Sequence, residues 1–183
     1  MAIKVTKPEI NLREKLAELD FDQVPYHKIP KGSSIQTNYT LLAGSGSANE
    51  SETSSSTFQQ TNFTVTINPR FKNSLFKVEA APNAKMNGAS AYQAVSVFRK
   101  IGDGGFVQIP SNSTLAPHGL MTLRWLGSST WWGIVPILVF DKPNTLEPVE
   151  YRIFQRNSTN GAFTVRIGEN GADEHMSVTE IKQ

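Results

Sequence analysis

The chain has 183 residues, the length of one domain, and 38% of them are apolar. Lys and Arg outnumber Asp and Glu by 18 to 16, a net charge of +2 that is too small and too evenly spread to indicate a nucleic-acid partner. There is no cysteine, which excludes a disulfide framework and thiolate chemistry. Since the first residues lack an apolar signal segment and no run approaches the ~18 apolar residues of a membrane span, we expect a soluble protein made in a cytosol, without membrane insertion.

One helix is predicted, over residues 8–21. Pro8 suits the first helical turn, where its missing N–H is not needed. Leu12, Leu16 and Leu19 follow at helical spacing and form a narrow apolar stripe. A helix of about twelve residues is marginal by itself in water, so it needs a partner surface, which is either its own domain or another protein.

An extended connector is predicted over residues 24–32. Pro25 and Pro30 exclude helix and favour an open chain. Tyr26 and Ile29 are its large apolar side chains, and we expect them to anchor the chain together with the leucine stripe. The sequence thus divides into an assembly and anchoring segment, residues 1–32, and a β domain, residues 33–183.

Short strands follow, each marked by apolar residues that alternate with polar ones. They are predicted over residues 33–42, 58–67, 74–81, 91–99, 106–109 and 120–126. The chain between 101 and 105 is glycine-rich and turns strand 91–99 back into strand 106–109 as a hairpin. Residues 44–57 are almost all polar or glycine and are predicted to be a long loop, which is commonly functional or mobile.

The last third of the chain holds four apolar runs in close succession, over residues 134–140, 149–154, 162–167 and 176–181. Turn-forming residues separate the later runs, so we predict an antiparallel meander that the rest of the chain covers. In total the sequence predicts an all-β fold, an antiparallel β-sandwich or jelly roll of about nine or ten short strands, with one short N-terminal α-helix and the extended connector.

Residues that could carry chemistry are few and scattered. The three histidines, His27, His118 and His175, show no metal-ligand spacing, which favours three unconnected side chains. Two carboxylates at a set separation would serve a glycosidase, but the pattern selects no two of the sixteen acids, Asp141, Glu147 and Glu150 included. We predict no catalytic residue, no cofactor and no metal, and therefore no enzyme.

Aromatic residues are more informative. Trp125, Trp131 and Trp132 lie close together in sequence, around a Gly-Ser-Ser-Thr segment. Adjacent residues of a strand point to opposite faces, so at most one of Trp131 and Trp132 readily enters the core. Core and edge packing is the simpler interpretation of this cluster, and recognition of a glycan or a protein surface by an exposed tryptophan is the alternative.

Two stretches resemble a known family. Residues 8–22, followed by Val24-Pro25 and Ile29-Pro30-Lys31-Gly32-Ser33, resemble the start of virion structural and tail-fibre-like proteins of marine bacteriophages, including cyanophages. Residues 140–145, 149–154, 163–167 and 178–181 resemble the end of those proteins, whereas residues 38–132 do not align. The resemblance implies a non-catalytic, often trimeric component of a particle, and offers no binding residues to transfer.

These observations predict a bacteriophage virion protein, located in the virion after synthesis in the host cytoplasm. Its partners would be other virion proteins, either of the tail or the major capsid protein, and further copies of itself, with a trimer favoured. A host-surface glycan or protein is its candidate target. A tail fibre or similar appendage is the first interpretation. A capsid decoration protein is the sibling alternative, which the shortness of the chain, taken as complete, suits well. A stand-alone carbohydrate-binding module and a glycan-degrading enzyme are alternatives of other classes.

Overall fold

The computed structural model describes residues 28–42, 50–87, 91–110, 119–125, 130–157, 164–168 and 174–183. Thirteen strands lie in these ranges, and the predicted all-β antiparallel fold is confirmed. They are β1 (Ser34–Leu42), β2 (Ser51–Thr53), β3 (Gln59–Ile67), β4 (Leu75–Ala80), β5 (Asn83–Asn87), β6 (Ala91–Ile101), β7 (Val107–Ile109), β8 (Met121–Trp125), β9 (Trp131–Ile134), β10 (Ile137–Asp141), β11 (Val149–Asn157), β12 (Thr164–Ile167) and β13 (Glu174–Ile181). The predicted helix and the connector up to residue 27 lie outside the described residues.

The strands form three antiparallel sheets in two layers. Sheet A has the order β1-β13-β4-β10, and sheet B has the order β2-β12-β5-β9. Each strand of sheet A directly precedes or follows, in the sequence, the strand that has the same position in sheet B. The two sheets therefore form one layer with an interruption between them. Sheet C, with the order β3-β11-β6-β7 and with β8 also paired to β6, forms the other layer. Alternating apolar residues of both layers meet in a shared core, which is the arrangement of a β-sandwich.

The first layer is interrupted where two prolines stand side by side. Pro82 separates β4 from β5, and Pro136 separates β9 from β10, because proline cannot donate a ladder hydrogen bond. The Val135 N–H donates to the Pro82 carbonyl at 2.9 Å, and the Asn83 N–H donates to the Glu174 carboxylate at 2.6 Å. Burial raises the pKa of Glu174, and the hydrogen bond from Asn83 opposes that rise. The apolar run 134–140 is therefore not one strand but parts of two, in different sheets.

A buried carboxylate lies at the end of sheet A that is farther from sheet B. Glu180, on β13, is fully buried and accepts hydrogen bonds from Gln36 Nε2 at 2.7 Å and from Ser74 Oγ at 2.7 Å. It also accepts from the backbone N–H groups of Arg70 and Phe71, at 3.0 and 2.9 Å. Four donors around one charge satisfy it in the interior and hold the β3–β4 loop against the sheet.

The predicted meander is wrong. Of the four strands in the last third, β10 pairs with β4, β11 with β3 and β6, β12 with β2 and β5, and β13 with β1 and β4. None pairs with another of the four. Strand alternation in the sequence reports which face of a strand is buried but not which strand lies beside it, and here every partner comes from the first two thirds of the chain.

Sequence analysis did not predict strands β2 and β5, but it did predict the hairpin of β6 and β7. The three residues of β2 lie inside the predicted loop 44–57; they are all polar, and they form a strand because β12 offers a paired edge. β5 has only Ala84 and Met86 as apolar signals. The hairpin of β6 and β7 is confirmed, with Gly102 at its turn in the left-handed region at φ 51°.

Candidate functional site

The acidic residues do not form a catalytic pair. Asp141 accepts two hydrogen bonds from Arg99 Nη1, at 2.8 and 2.9 Å, and one from the Tyr151 hydroxyl at 2.9 Å. Burial, and then the negative charge of Asp141, raise the pKa of Tyr151, which stays protonated as the donor. This group ties sheet A to sheet C beside a cavity of about 390 Å³ that Val107 and Phe140 also line. Arg99 and Asp141 neutralise each other there, so they give the cavity no net charge.

Glu150 is engaged elsewhere, on the outside of sheet C. Lys100 Nζ lies at 2.9 Å and Arg152 Nη2 at 2.8 Å from its carboxylate, and the Thr64 hydroxyl donates at 3.0 Å. Burial raises the pKa of this group, but the hydrogen bonds from Lys100 and Thr64 and the two positive charges outweigh burial, and the pKa is lowered overall. Glu147 is exposed in the loop before β11. The glycosidase alternative therefore gains no site from these three residues.

The histidines remain apart in the described part of the chain. His175 is exposed on β13, and His27 and His118 lie outside the described residues. No group of three or more His, Asp or Glu side chains suited to a metal ion occurs among the residues that the structure describes. Among those residues there is also no helix long and apolar enough to cross a membrane.

The three tryptophans do not share one exposed surface. Trp131 is half-buried against the core, and its indole lies over Gly133, where a Cβ would collide with the ring. Trp125 is half-buried against Met86 and Val165. Trp132 is 42% exposed on the outer face of sheet B, with Lys85 Nζ 4.2 Å from its ring centroid. The two adjacent tryptophans point to opposite faces, as the strand period requires. The Lys85 ammonium group already lies over one side of the Trp132 indole, the one exposed indole of the three.

Of the predicted anchoring residues, Ile29 alone lies in the described chain; Leu12, Leu16, Leu19 and Tyr26 lie outside it. Ile29 is half-buried, and its carbonyl accepts a hydrogen bond from Lys182 Nζ. The Gly32 N–H donates to the Lys182 carbonyl at 2.9 Å. The end of the connector is therefore fastened to the residue that follows β13.

Sheet A presents a surface that sequence analysis did not identify. Its side chains that point away from the core define the outer face of sheet A: Thr37, Tyr39, Leu41, Leu75, Lys77, Glu79, Leu138, Phe140, His175, Ser177, Thr179 and Ile181. Tyr39 and Leu41 stand on β1 at one edge, and Leu138 and Phe140 stand on β10 at the other. These four expose between 53% and 72% of their surface. A signal was present, because run 134–140 is apolar on both faces of the strand instead of alternating.

The two central strands of this face are polar except at one end, where Leu75 on β4 pairs with Ile181 on β13 and both are half-buried. The Lys77 ammonium lies 2.7 Å from Glu79 on β4. On β13, Thr179 shares a 3.0 Å hydrogen bond with Thr37 of β1. The outer face of sheet A thus has an electrically balanced centre between two apolar edges.

The outer face of sheet C also carries large apolar residues, but there they are covered. The aromatic cluster of Phe58, Phe98, Phe106 and Phe154 stacks on itself, with centroids of Phe98 and Phe154 at 4.1 Å. Arginine and lysine side chains lie over the rings: Arg152 and Lys100 over Phe106, and Arg156 over Phe58. No such cover lies over Leu138 and Phe140 among the described residues.

Comparisons with known proteins give distant similarities alone. No family model and no curated protein matches the chain. A chain in the structure of infectious bursal disease virus Gx strain is 10% identical, with a TM-score of 0.39 over 82% of this chain and 37% of that chain. A chain in the crystal structure of the infectious bursal disease virus VP2 subviral particle is 9% identical, with a TM-score of 0.28 over 82% of this chain and 38% of that chain. The protein spans less than two fifths of these viral chains, and similarity at this level carries no argument about function.

Proposed function

We propose that this protein is a non-enzymatic structural component of a bacteriophage virion, an exposed β-sandwich built to be joined to other subunits. The observation that carries the proposal is the outer face of sheet A. Soluble monomers rarely expose contiguous apolar patches, and larger ones mark interaction sites. Here two apolar edges stand on the outer face of a four-stranded sheet, while the same protein covers aromatic residues of its other layer. The face is therefore suited to contact with another subunit.

The resemblance of the N-terminal residues supports the same role and suggests where attachment occurs. Residues 1–32 anchor the β-sandwich to a neighbouring virion protein through the leucine stripe, Tyr26 and Ile29. The proposed place is a tail fibre or similar appendage, with a homo-oligomer, a trimer favoured, as the assembly state. Decoration of the phage head, with the major capsid protein as partner, is the sibling proposal.

Immunogold labelling of purified phage particles, with antibody raised against this chain, tests the proposal. Gold at the tail supports the appendage, and gold over the head supports the decoration protein. Absence of label on intact particles, with a labelled major capsid protein as positive control, overturns the virion role.

A second candidate is a carbohydrate-binding module, which one observation favours. Trp132 is the exposed tryptophan of the described chain, and polar residues surround it: Lys85 over its ring and Asn87 bonded to Thr130 at 3.2 Å. Exposed indole rings suit stacking on sugars. A glycan array that detects binding by the wild-type protein and loss of binding in Trp132→Ala would support this function. Equal signals from both proteins would contradict it.

A further inference from the structure

One row of the outer face of sheet A has a large apolar residue at each of its two edges. The register places Leu138 opposite Glu79, Glu79 opposite Ser177, and Ser177 opposite Tyr39, which gives one straight row across the sheet. The next row reads Phe140, Lys77, Thr179 and Thr37. Both rows have a large apolar residue on β10, a charged residue on β4 and a hydroxyl residue on β13.

We infer that this face binds the same face of a second copy of the chain, about a two-fold axis that runs parallel to the strands between β13 and β4. The inference rests on the proposed function and deepens it, because it names what covers the face: a pairwise contact between two copies, separate from the contact that would hold the proposed trimer together. Such a rotation exchanges β1 with β10 and β13 with β4 between the two copies. An interface of this kind is isologous, with one patch contacting its own copy.

Two of the contacts produced by this rotation are apolar on both sides. Tyr39 comes opposite the partner subunit's Leu138, and Leu75 comes opposite the partner subunit's Ile181. Phe140 comes opposite the partner subunit's Thr37 and contacts the methyl group of that side chain.

Glu79 comes opposite the partner subunit's Ser177, and Lys77 opposite the partner subunit's Thr179. Each charge meets a hydroxyl group and keeps its own ion partner, and no two like charges are brought together.

Charge also argues for a second copy over a different protein. The face carries one lysine and one glutamate, paired with each other at 2.7 Å, so it offers no net field to steer a strongly charged partner. Its most exposed apolar residues stand on the two outer strands, which the two-fold rotation brings opposite each other. A single-sided apolar patch would not have this property.

The size of the face predicts a weak association. The strands β1, β13, β4 and β10 have nine, eight, six and five residues. At about 3.3 Å per residue and about 4.8 Å between strands, they cover about 440 Å² per copy, or about 900 Å² in total. This area is in the range of weak interfaces, below that of standard stable ones. We therefore expect association at high protein concentration in solution, and between neighbouring copies that are held close together on a particle.

Site-specific cross-linking tests the arrangement, and the full-length chain is suited to it because it has no cysteine. The variants Tyr39→Cys and Leu138→Cys are treated with a short bis-maleimide, each alone and as a mixture. Three strand spacings, about 14 Å, separate β1 from β10, so each residue is far from its own symmetry copy and close to the other variant's cysteine. We expect cross-linked dimers from the mixture and none from either variant alone.

Sedimentation over a concentration series supplies the second measurement. The average mass of the wild-type protein should double from the lowest to the highest concentration, and Leu138→Glu should weaken this association at least tenfold. Leu146→Glu is the matched control, since Leu146 is 60% exposed and Leu138 59%, but Leu146 lies in a loop away from the face. We expect the control to associate like wild type.

Three results would overturn the inference: no cross-link in the mixture, cross-linking of Tyr39→Cys by itself, or equal effects of Leu138→Glu and Leu146→Glu. Circular dichroism of each variant establishes that it is folded. Particle labelling is independent of these measurements, so a virion protein that stays unassociated in solution would refute the two-fold contact and leave the proposed function standing.

Discussion

The outer faces of sheets A and C differ in how far their large apolar residues are exposed to solvent. On sheet C, four phenylalanines pack against one another, and arginine or lysine side chains lie over two of them, Phe58 and Phe106. Phe154 is 7% exposed. On sheet A, Leu138 and Phe140 stand on an edge strand and remain more than half exposed. The contrast shows that this chain has the means to cover apolar groups with its own cations. The proposed contact with another subunit accounts for the residues that it leaves uncovered.

Substitution of a buried residue on the inner side of sheet A should lower the free energy of unfolding the most. Glu180→Ala leaves the donors of Gln36, Ser74 and the β3–β4 loop buried without their acceptor. We expect the free energy of unfolding to fall by about 3–5 kcal/mol, measured by urea denaturation. Glu79→Ala, on the outer face of the same sheet, is the control and should change it by less than about 0.5 kcal/mol. Similar losses in both variants would show that the outer face is structural.

Breaking the aromatic cluster of sheet C should come next. Phe154→Ala removes the ring that stacks on Phe98 and contacts Phe106, and the neighbours can collapse only in part. The expected loss is about 3–4 kcal/mol of unfolding free energy. A loss below about 1 kcal/mol would mean that the cluster contributes little to stability, and the contrast with sheet A would disappear.

Acid should weaken the ion pairs that Glu150 makes with Lys100 and Arg152 on the outer face of sheet C. The pKa of Glu150 is lowered in the folded protein from the ordinary 4.5, so its contribution is present above 4.5 and is lost as pH falls through the folded value. The free energy of unfolding of the wild-type protein should therefore decline more steeply below pH 4.5 than that of Glu150→Gln. Parallel curves for the two proteins, measured by urea denaturation at each pH, would contradict this role.

Substitution on the outer face of sheet A should have the smallest effect on stability. Phe140→Ser removes an apolar group that is already exposed to water, so the free energy of unfolding should stay within about 0.5 kcal/mol of wild type. Thermal denaturation at low protein concentration measures it without self-association. A loss close to that of Phe154→Ala would place Phe140 among residues on which the fold depends.

Much of the local structure could be predicted from the sequence. Alternation such as Phe63, Val65 and Ile67 identified β3, and the glycine-rich turn identified the β6–β7 hairpin. β2 could not be predicted, because its three polar residues form a strand only beside β12. The outer face of sheet A was also missed as a site. Its residues come from four strands that are far apart in the chain, and their rows exist only once the register is set.

The sequence by itself determined that this protein is an all-β antiparallel fold, since side-chain alternation and turn residues act within a few positions of one another. It also determined that Trp131 and Trp132 point to opposite faces. The tertiary structure decided which strands pair, that sheets A and B form one layer broken at Pro82 and Pro136, and which apolar residues remain uncovered. Pairing and exposure depend on contacts between distant segments, where each strand offers similar hydrogen bonds and the best mutual burial of both layers selects one arrangement.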